Sequence, residues 1–353
     1  MKKIELNELL QNDNLIKQID NNFNINIFKD SFNIEEPLYA TLNKNKPLVS
    51  FIIPTHNRYE MLKQTLKSIS IQKNCNYEII IINDNSSQKE YKNLLNDYKN
   101  LPIIYIENKV SKGPGLARQA GYLKSSGKYI VFADDDDFYV VNNFLSEGVD
   151  KLEKNNNLTF VAYNTLTYYE NGNSIVASKI NSIDLINGKD YFLNFISKYQ
   201  KPTSTFPTIF RKKMLDNANF KNMEMMNDAS IYLRSLTQGD AYIFNRFIGV
   251  YRVHTTNISK DIPHEFILDN IKEKNNIYKI AKNTFSANLD DWLYNQILDT
   301  FRYYVIDSNC NYSKAKDFIH YTSKNTSTSK IKLYFNYLKF LAIKIVIYMI
   351  NSK

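Results

Sequence analysis

Cysteine and tryptophan are nearly missing from this 353-residue chain. Its two cysteines, Cys75 and Cys310, stand far apart and without metal-ligand spacing. A disulfide scaffold is thereby excluded, and a reducing, cytoplasmic compartment becomes the expectation. One tryptophan against 26 tyrosines and 21 phenylalanines, with many Asn and Lys, reflects coding bias as much as structure. No apolar stretch follows the lysines of MKKIELNELLQND, so no signal peptide is expected. There is no internal repeat and no long low-complexity segment. Acids are scarce at one end only. From Asn311 onward eight lysines face a single acid, Asp317, and this tail carries most of the net charge of +9. Such a tail suits an anionic membrane surface, and nothing else in the chain points to nucleic acid.

What is present is organised. Hydrophobic residues make up 43%, enough for a sizeable core. Residues 1–47 are polar and Asn-rich and read as an N-terminal extension. From Leu48, short apolar runs alternate with helical patterns: LVSFIIP (48–54), YEIIIIND (77–84), LPIIYIE (101–107) and KYIVFA (128–133), with helices near 58–72 and 116–124. This alternation predicts an α/β fold with a mostly parallel, Rossmann-like central sheet. TFVAYN (159–164) and TFPTIF (205–210) read as strands, NDASIYLRSLTQG (227–239) as a helix, and 261–353 as a helical C-terminal region.

Ligands of such sheets bind beyond the carboxyl ends of the strands. Three polar clusters fall there: Thr55, His56 and Asn57; Asp84, Asn85 and Ser86; and the four aspartates of FADDDDFY (132–139). Four adjacent like charges alone would read as a solvated acidic turn. Their place on the same edge as the other two clusters favours a divalent-cation site, which needs several hard oxygen ligands.

VSFIIPTHNR, EIIIINDNSS, KGPGLARQAGYLKSSGKYIVFADDDDFY, TIFRKKML, NDASIYLRSLTQG and YRVHTTNIS occur in that order. The series, over 48–260, resembles family-two glycosyltransferases with the GT-A fold, which are mostly bacterial, inverting and nucleotide-sugar dependent. The resemblance implies Mn²⁺ or Mg²⁺, a nucleotide-sugar donor with UDP as the default, and a glycan or lipid-linked acceptor in surface-polysaccharide or capsule assembly. It assigns Asp136 and His254 to the metal. Asp134 goes to the ribose or, through water, the metal, and Asp228 becomes the catalytic base. The donor contacts it implies are Pro54, Thr55, Asn57, Arg58, Asp84, Gly113, Arg118, Asp134 and Asp135. Pro54 shapes the turn. Asp134 and Asp136, two apart in an extended segment, face one ligand, and Asp135 points away to solvent. Asn83, Asn85, Gln119 and Asn227 depart from the family pattern. A nucleotidylyltransferase is disfavoured because PTHNRYE stands where a Gly-rich loop would be. A non-catalytic nucleotide-sugar-binding scaffold is the alternative that Asn83 and Asn227 keep open.

Residues 331–350, IKLYFNYLKFLAIKIVIYMI, form an apolar stretch interrupted by Lys339 and Lys344. An amphipathic helix lying in the plane of a membrane is expected. A helix packed on the protein itself, or on a second copy in a homo-oligomer, is the alternative.

Overall fold

Runs of Ile, Val and Phe too short for helices form the centre of a mixed sheet. The computed structural model describes residues 3–21, 23–32, 43–46, 48–255, 263–308 and 310–351. The chain divides into two units, Met1–Thr255 and Thr256–Lys353. The boundary expected at 260 falls among residues outside those described.

The first unit opens with β1 (Ile4–Glu5), α1 (Leu6–Gln11), α2 (Asp13–Ile19) and α3 (Ile25–Asp30). Asn12 and Asn24 cap the second and third helices, each accepting from two backbone N–H groups of the first turn. Leu9, Ile16 and Phe28 are fully buried, so this part of the extension packs into the core. Residues 33–42 of the extension lie outside those described.

The expected alternation follows as β2 (Leu48–Thr55), α4 (Tyr59–Ser70), β3 (Asn76–Asn83), α5 (Leu94–Asp97), β4 (Ile103–Glu107), α6 (Pro114–Lys124) and β5 (Tyr129–Phe132). β2 pairs in parallel with β3 and β5, and β3 with β4. Ile52 lies opposite both Ile80 and Phe132, and all three are buried. Strands covered on both faces read as continuous apolar runs, which is why they were legible. Pro54 sits within β2 rather than in a turn. Ile52 O accepts from Ala133 N, so by alternation Pro54 N points to the same side, beyond the end of β5. A strand tolerates proline where no partner needs its N–H.

The unit continues with β6 (Phe138–Tyr139), α7 (Phe144–Lys154), β7 (Leu158–Tyr169), β8 (Ser174–Ser178), β9 (Asp184–Ile186), α8 (Gly188–Leu193), β10 (Thr208–Arg211), α9 (Lys212–Asn217), α10 (Asp228–Leu236) and β11 (Asp240–Val253). β10 lies between β5 and β7, antiparallel to both, and β8 and β1 extend that side. The sheet is therefore parallel in its core and mixed beyond it. β11 runs parallel to β7 along its length and pairs antiparallel with β6, directly after the aspartates.

The second unit contains α11 (His264–Phe285), α12 (Asp290–Asp307), α13 (Tyr312–Asn325) and α14 (Lys330–Asn351). Phe301 stacks on Phe318 with centroids 4.3 Å apart, and Tyr337 and Phe340 close around it. Lys274 is buried, donating to Gln296 O at 2.7 Å and Thr300 Oγ1 at 2.6 Å, and burial pulls its pKa down to about 8.

α6 approaches β2 and β3 closely because Gly121 has no side chain. A Cβ there would lie 2.5 Å from Ile52 Cγ2 and 2.6 Å from Ile82 Cδ1. Gly121→Ala should cost about 1–3 kcal/mol by overpacking. Adding Ile82→Val, which removes Cδ1, should give a double variant more stable than the sum of the two single losses. Urea denaturation of the three variants checks this, and strict additivity would refute the close approach.

Candidate active site

β2, β3 and β5 are parallel, so Thr55, Asn83 and Phe132 end at one edge of the sheet. The loops that follow are stitched together. Asp84 N donates to Thr55 O at 2.8 Å, and His56 Nδ1 donates to Asp84 O at 2.8 Å. Asn57 adopts φ 54°, a conformation Asn tolerates better than most residues. Its N–H donates to Ser86 Oγ and its Oδ1 accepts from Ser87 N. Thr55 Oγ1 lies 2.5 Å from Tyr91 OH, which also accepts from Arg58 N at 3.2 Å.

Asp84 holds the loop ahead of α6. Its carboxylate accepts from Asn108 Nδ2 (2.7 Å), Ser111 Oγ (2.7 Å), Lys112 N (3.0 Å) and Gly113 N (2.8 Å). Burial pushes its pKa up, but these donors outweigh burial and hold it below the ordinary value. The oxygens expected to meet a nucleotide base are thus already engaged. Gly113 has φ +81° and caps α6; a Cβ there would meet nothing within 4 Å, so backbone conformation, not crowding, calls for glycine.

Asp135, Asp136 and Asp137 are buried, Asp134 is half-buried, and the run is faced by cations. Asp134 pairs with the buried Arg118 guanidinium and accepts from Ser204 Oγ at 2.8 Å. Arg58 Nη1 donates to both Asp135 Oδ1 (3.1 Å) and Asp136 Oδ2 (2.7 Å). Asp136 Oδ2 also accepts from His254 Nε2 at 2.9 Å. Asp137 Oδ1 accepts from Arg252 N, and Thr65 Oγ1 donates to the carbonyls of Asp135 and Asp137. One expectation is corrected here. Asp135 does not face solvent: it is 3% exposed and ion-paired. The period-two alternation assumed an extended segment, whereas Asp135 and Asp136 form a turn.

Burial is the largest influence on all four carboxyls. It raises Asp134 and Asp137, and it takes Asp135 to about 7 with help from the neighbouring Asp136 charge. At Asp136 the His254 hydrogen bond and Arg58 outweigh burial, and the pKa falls below the ordinary value. Asp136 is the member of the run that keeps its charge most firmly. Among the described residues, Asp135 Oδ2, Asp137 Oδ2 and Arg118 Nε are buried without a hydrogen-bond partner.

Asp228 is the first residue of α10. Asn227 Oδ1 accepts from Ser230 N at 2.8 Å and Ser230 Oγ accepts from Asn227 N at 3.1 Å, a reciprocal cap. Asn227 is therefore explained by helix initiation. Asn83 is likewise structural, donating to Tyr105 OH and accepting from Ser86 N. The Asp228 side chain is 29% exposed and lies 3.7 Å from Lys201 Nζ, and its charge reaches both Arg118 and Asp134. Lys201, Ser204, Thr65 and Arg252 were not singled out in the sequence. Lys201 and Ser204 lie in a polar loop without a motif, and the other two act through elements whose pairing is not local.

Among the described residues no three or more His, Cys, Asp or Glu are grouped to hold a metal by themselves. Asp136 and His254 supply a two-donor pair of oxygen and nitrogen. Magnesium-like ions are commonly bound by one or two carboxylates and completed by substrate phosphates, so the donor set fits such an ion.

Acids, arginines and a histidine thus gather at the strand ends of an α/β sheet, where the ligands of such sheets bind. The sequence profile of Glycosyl transferase family 2 matches residues 50–238, and the chain belongs to that family. It is 28% identical over 212 residues to the GalNAc(5)-diNAcBac-PP-undecaprenol beta-1,3-glucosyltransferase of Campylobacter jejuni, covering 59% of this chain and 65% of that one. It is 39% identical over 108 residues to an uncharacterized glycosyltransferase of Rickettsia bellii, covering 31% of this chain and 15% of that one. The chain thus spans less than two thirds of either relative. The crystal structure of S. aureus TarS 1–349 superposes with a TM-score of 0.57 at 14% identity, over 84% of this chain and 88% of that chain. This likeness establishes the GT-A fold.

Asp84 allows a signed pH test. Its pKa is depressed, so its contribution is fully present above the unfolded value near ~3.9 and is lost as pH falls through the lower folded value. Asp84→Asn should lose about 1–3 kcal/mol at pH 7. It should also show a shallower loss of stability than wild type below about pH 4. Parallel acid limbs in denaturation at pH 2–7 would contradict the loop-anchoring role.

Proposed function

We propose that this chain is a metal-dependent, inverting glycosyltransferase moving a sugar from a nucleoside-diphosphate donor to a hydroxyl of a glycan or lipid-linked acceptor. The observation that carries the reading is the Asp136–His254 pair and the Arg118–Asp134 ion pair at the strand ends, with Asp228 at the start of α10 near enough for its charge to act on Arg118 and Asp134. UDP-sugars are the first donors to test, because TarS, a fold neighbour, has been crystallised with UDP-GlcNAc and with UDP. The Campylobacter relative is named for an undecaprenol-linked substrate, which supports a lipid-linked acceptor here.

Asp136 and His254 would hold Mn²⁺ or Mg²⁺, which supplies positive charge for the diphosphate as it leaves. Thr55 and the Asp84-anchored loop border the nucleotide end of the site. Arg118 keeps Asp134 oriented and adds fixed positive charge beside the leaving group. Asp228 takes the acceptor proton during attack from the opposite face of the sugar. Lys201 holds the Asp228 carboxylate in place. The scaffold alternative loses its two supports, since Asn83 and Asn227 both serve local structure.

Asp228→Asn should reduce transfer by ~10²–10⁴-fold, the usual contribution of a general base, while leaving nucleotide binding near wild type. Near wild-type transfer would remove Asp228 from the mechanism. Turnover of the donor should stop in excess chelator and return with Mn²⁺ or Mg²⁺; full activity in chelator would contradict the metal's role.

A further inference from the structure

We propose that α14 is an interfacial membrane anchor whose outer stripe and last two turns insert into an anionic bilayer while its inner face stays on α12 and α13. The proposal is independent of the reaction. At ~1.5 Å per residue the helix is about 33 Å long. The mean hydropathy of its most apolar 18-residue window is 1.5, yet only 17% of that window is buried. Leu333, Tyr337 and Phe340 form the buried face. On the other side Ile331, Phe335 and Leu338 are 61–69% exposed. Beyond Lys344 every residue from Ile345 to Ile350 is apolar or aromatic and exposed, from 42% at Ile347 to 75% at Tyr348. Soluble surfaces rarely present so continuous an apolar patch.

Lys344 was expected to interrupt the apolar face. Instead it turns inward, donating to Val305 O at 2.9 Å and Ser308 O at 3.0 Å. It serves the open carbonyls at the end of α12, where a cation is favoured. A membrane-spanning arrangement would strip those contacts and expose the inner face; insertion in the plane keeps them.

Charge selects the occupant. Lys330, Lys332 and Lys339 on α14, and Lys314, Lys316 and Lys324 on α13, are all exposed. The acid among them, Asp317, is paired with His264 Nε2 at 2.6 Å. A second copy docked face to face would set lysine against lysine, whereas anionic headgroups are drawn to them. Tyr348 at the tip suits the headgroup level.

The test is co-sedimentation of the full chain with phosphatidylglycerol-containing vesicles and with pure phosphatidylcholine vesicles. Strong binding to the anionic vesicles, weakened by salt, is expected. Lys330→Gln/Lys332→Gln/Lys339→Gln should lower the affinity on the order of 100-fold. Ile345→Glu/Met349→Glu, at exposed positions, should abolish binding with an unchanged melting curve. Tyr348→Trp should show a blue-shifted emission component on vesicle addition. Equal or absent binding to both vesicles overturns the proposal, as does a stable dimer that Ile345→Glu/Met349→Glu dissociates.

Discussion

Four adjacent carboxylates can be buried together only against fixed positive charge, and the first unit is arranged to deliver it. β2 ends so that Arg58 reaches Asp135 and Asp136. α6, drawn in at Gly121, brings Arg118 to Asp134. β11 closes from the other side, pairing with β6 just after the aspartates and presenting Arg252 N and His254. Removing one of these partners would leave a buried charge uncompensated, which costs far more than a surface pair. The sheet, the helix and the late strand therefore depend on one another through this turn.

The compensation is uneven, and the unevenness is chemically useful. Asp136, held by Arg58 and His254, is kept ionised, whereas burial raises its neighbours. Under the proposed function, a divalent ion and a diphosphate would bring opposite charges in comparable number, so the pair would enter at less cost than either alone. Arg58 stands against Asp136 where an incoming cation would compete for the same oxygen. Asp228 is set apart on α10 with moderate exposure, as its proposed role as the base requires.

The parallel half of the sheet was legible because strands buried on both faces leave uninterrupted apolar runs. The strand-end rule then placed Thr55, Asp84 and the aspartates together. The antiparallel side was less legible. β7 and β11 are long strands whose pairing is parallel and non-adjacent in sequence, and β10 is only four residues, preceded by Pro207. Asp135 was misplaced because alternation ceases where a strand becomes a turn. Lys201 and Ser204 carried no local signal, since a loop's side chains gain partners only when the fold closes. In the tail, periodicity identified the helix but could not reveal that Lys344 bonds across to α12.

The most direct test is titration calorimetry of UDP with and without Mn²⁺, on wild type and on Asp136→Asn. The account predicts that Mn²⁺ strengthens UDP binding to wild type and has no such effect on the variant, which should still bind UDP weakly. Equal enhancement by Mn²⁺ in both proteins, or none in wild type, would contradict the assignment of the acidic turn to the metal and diphosphate.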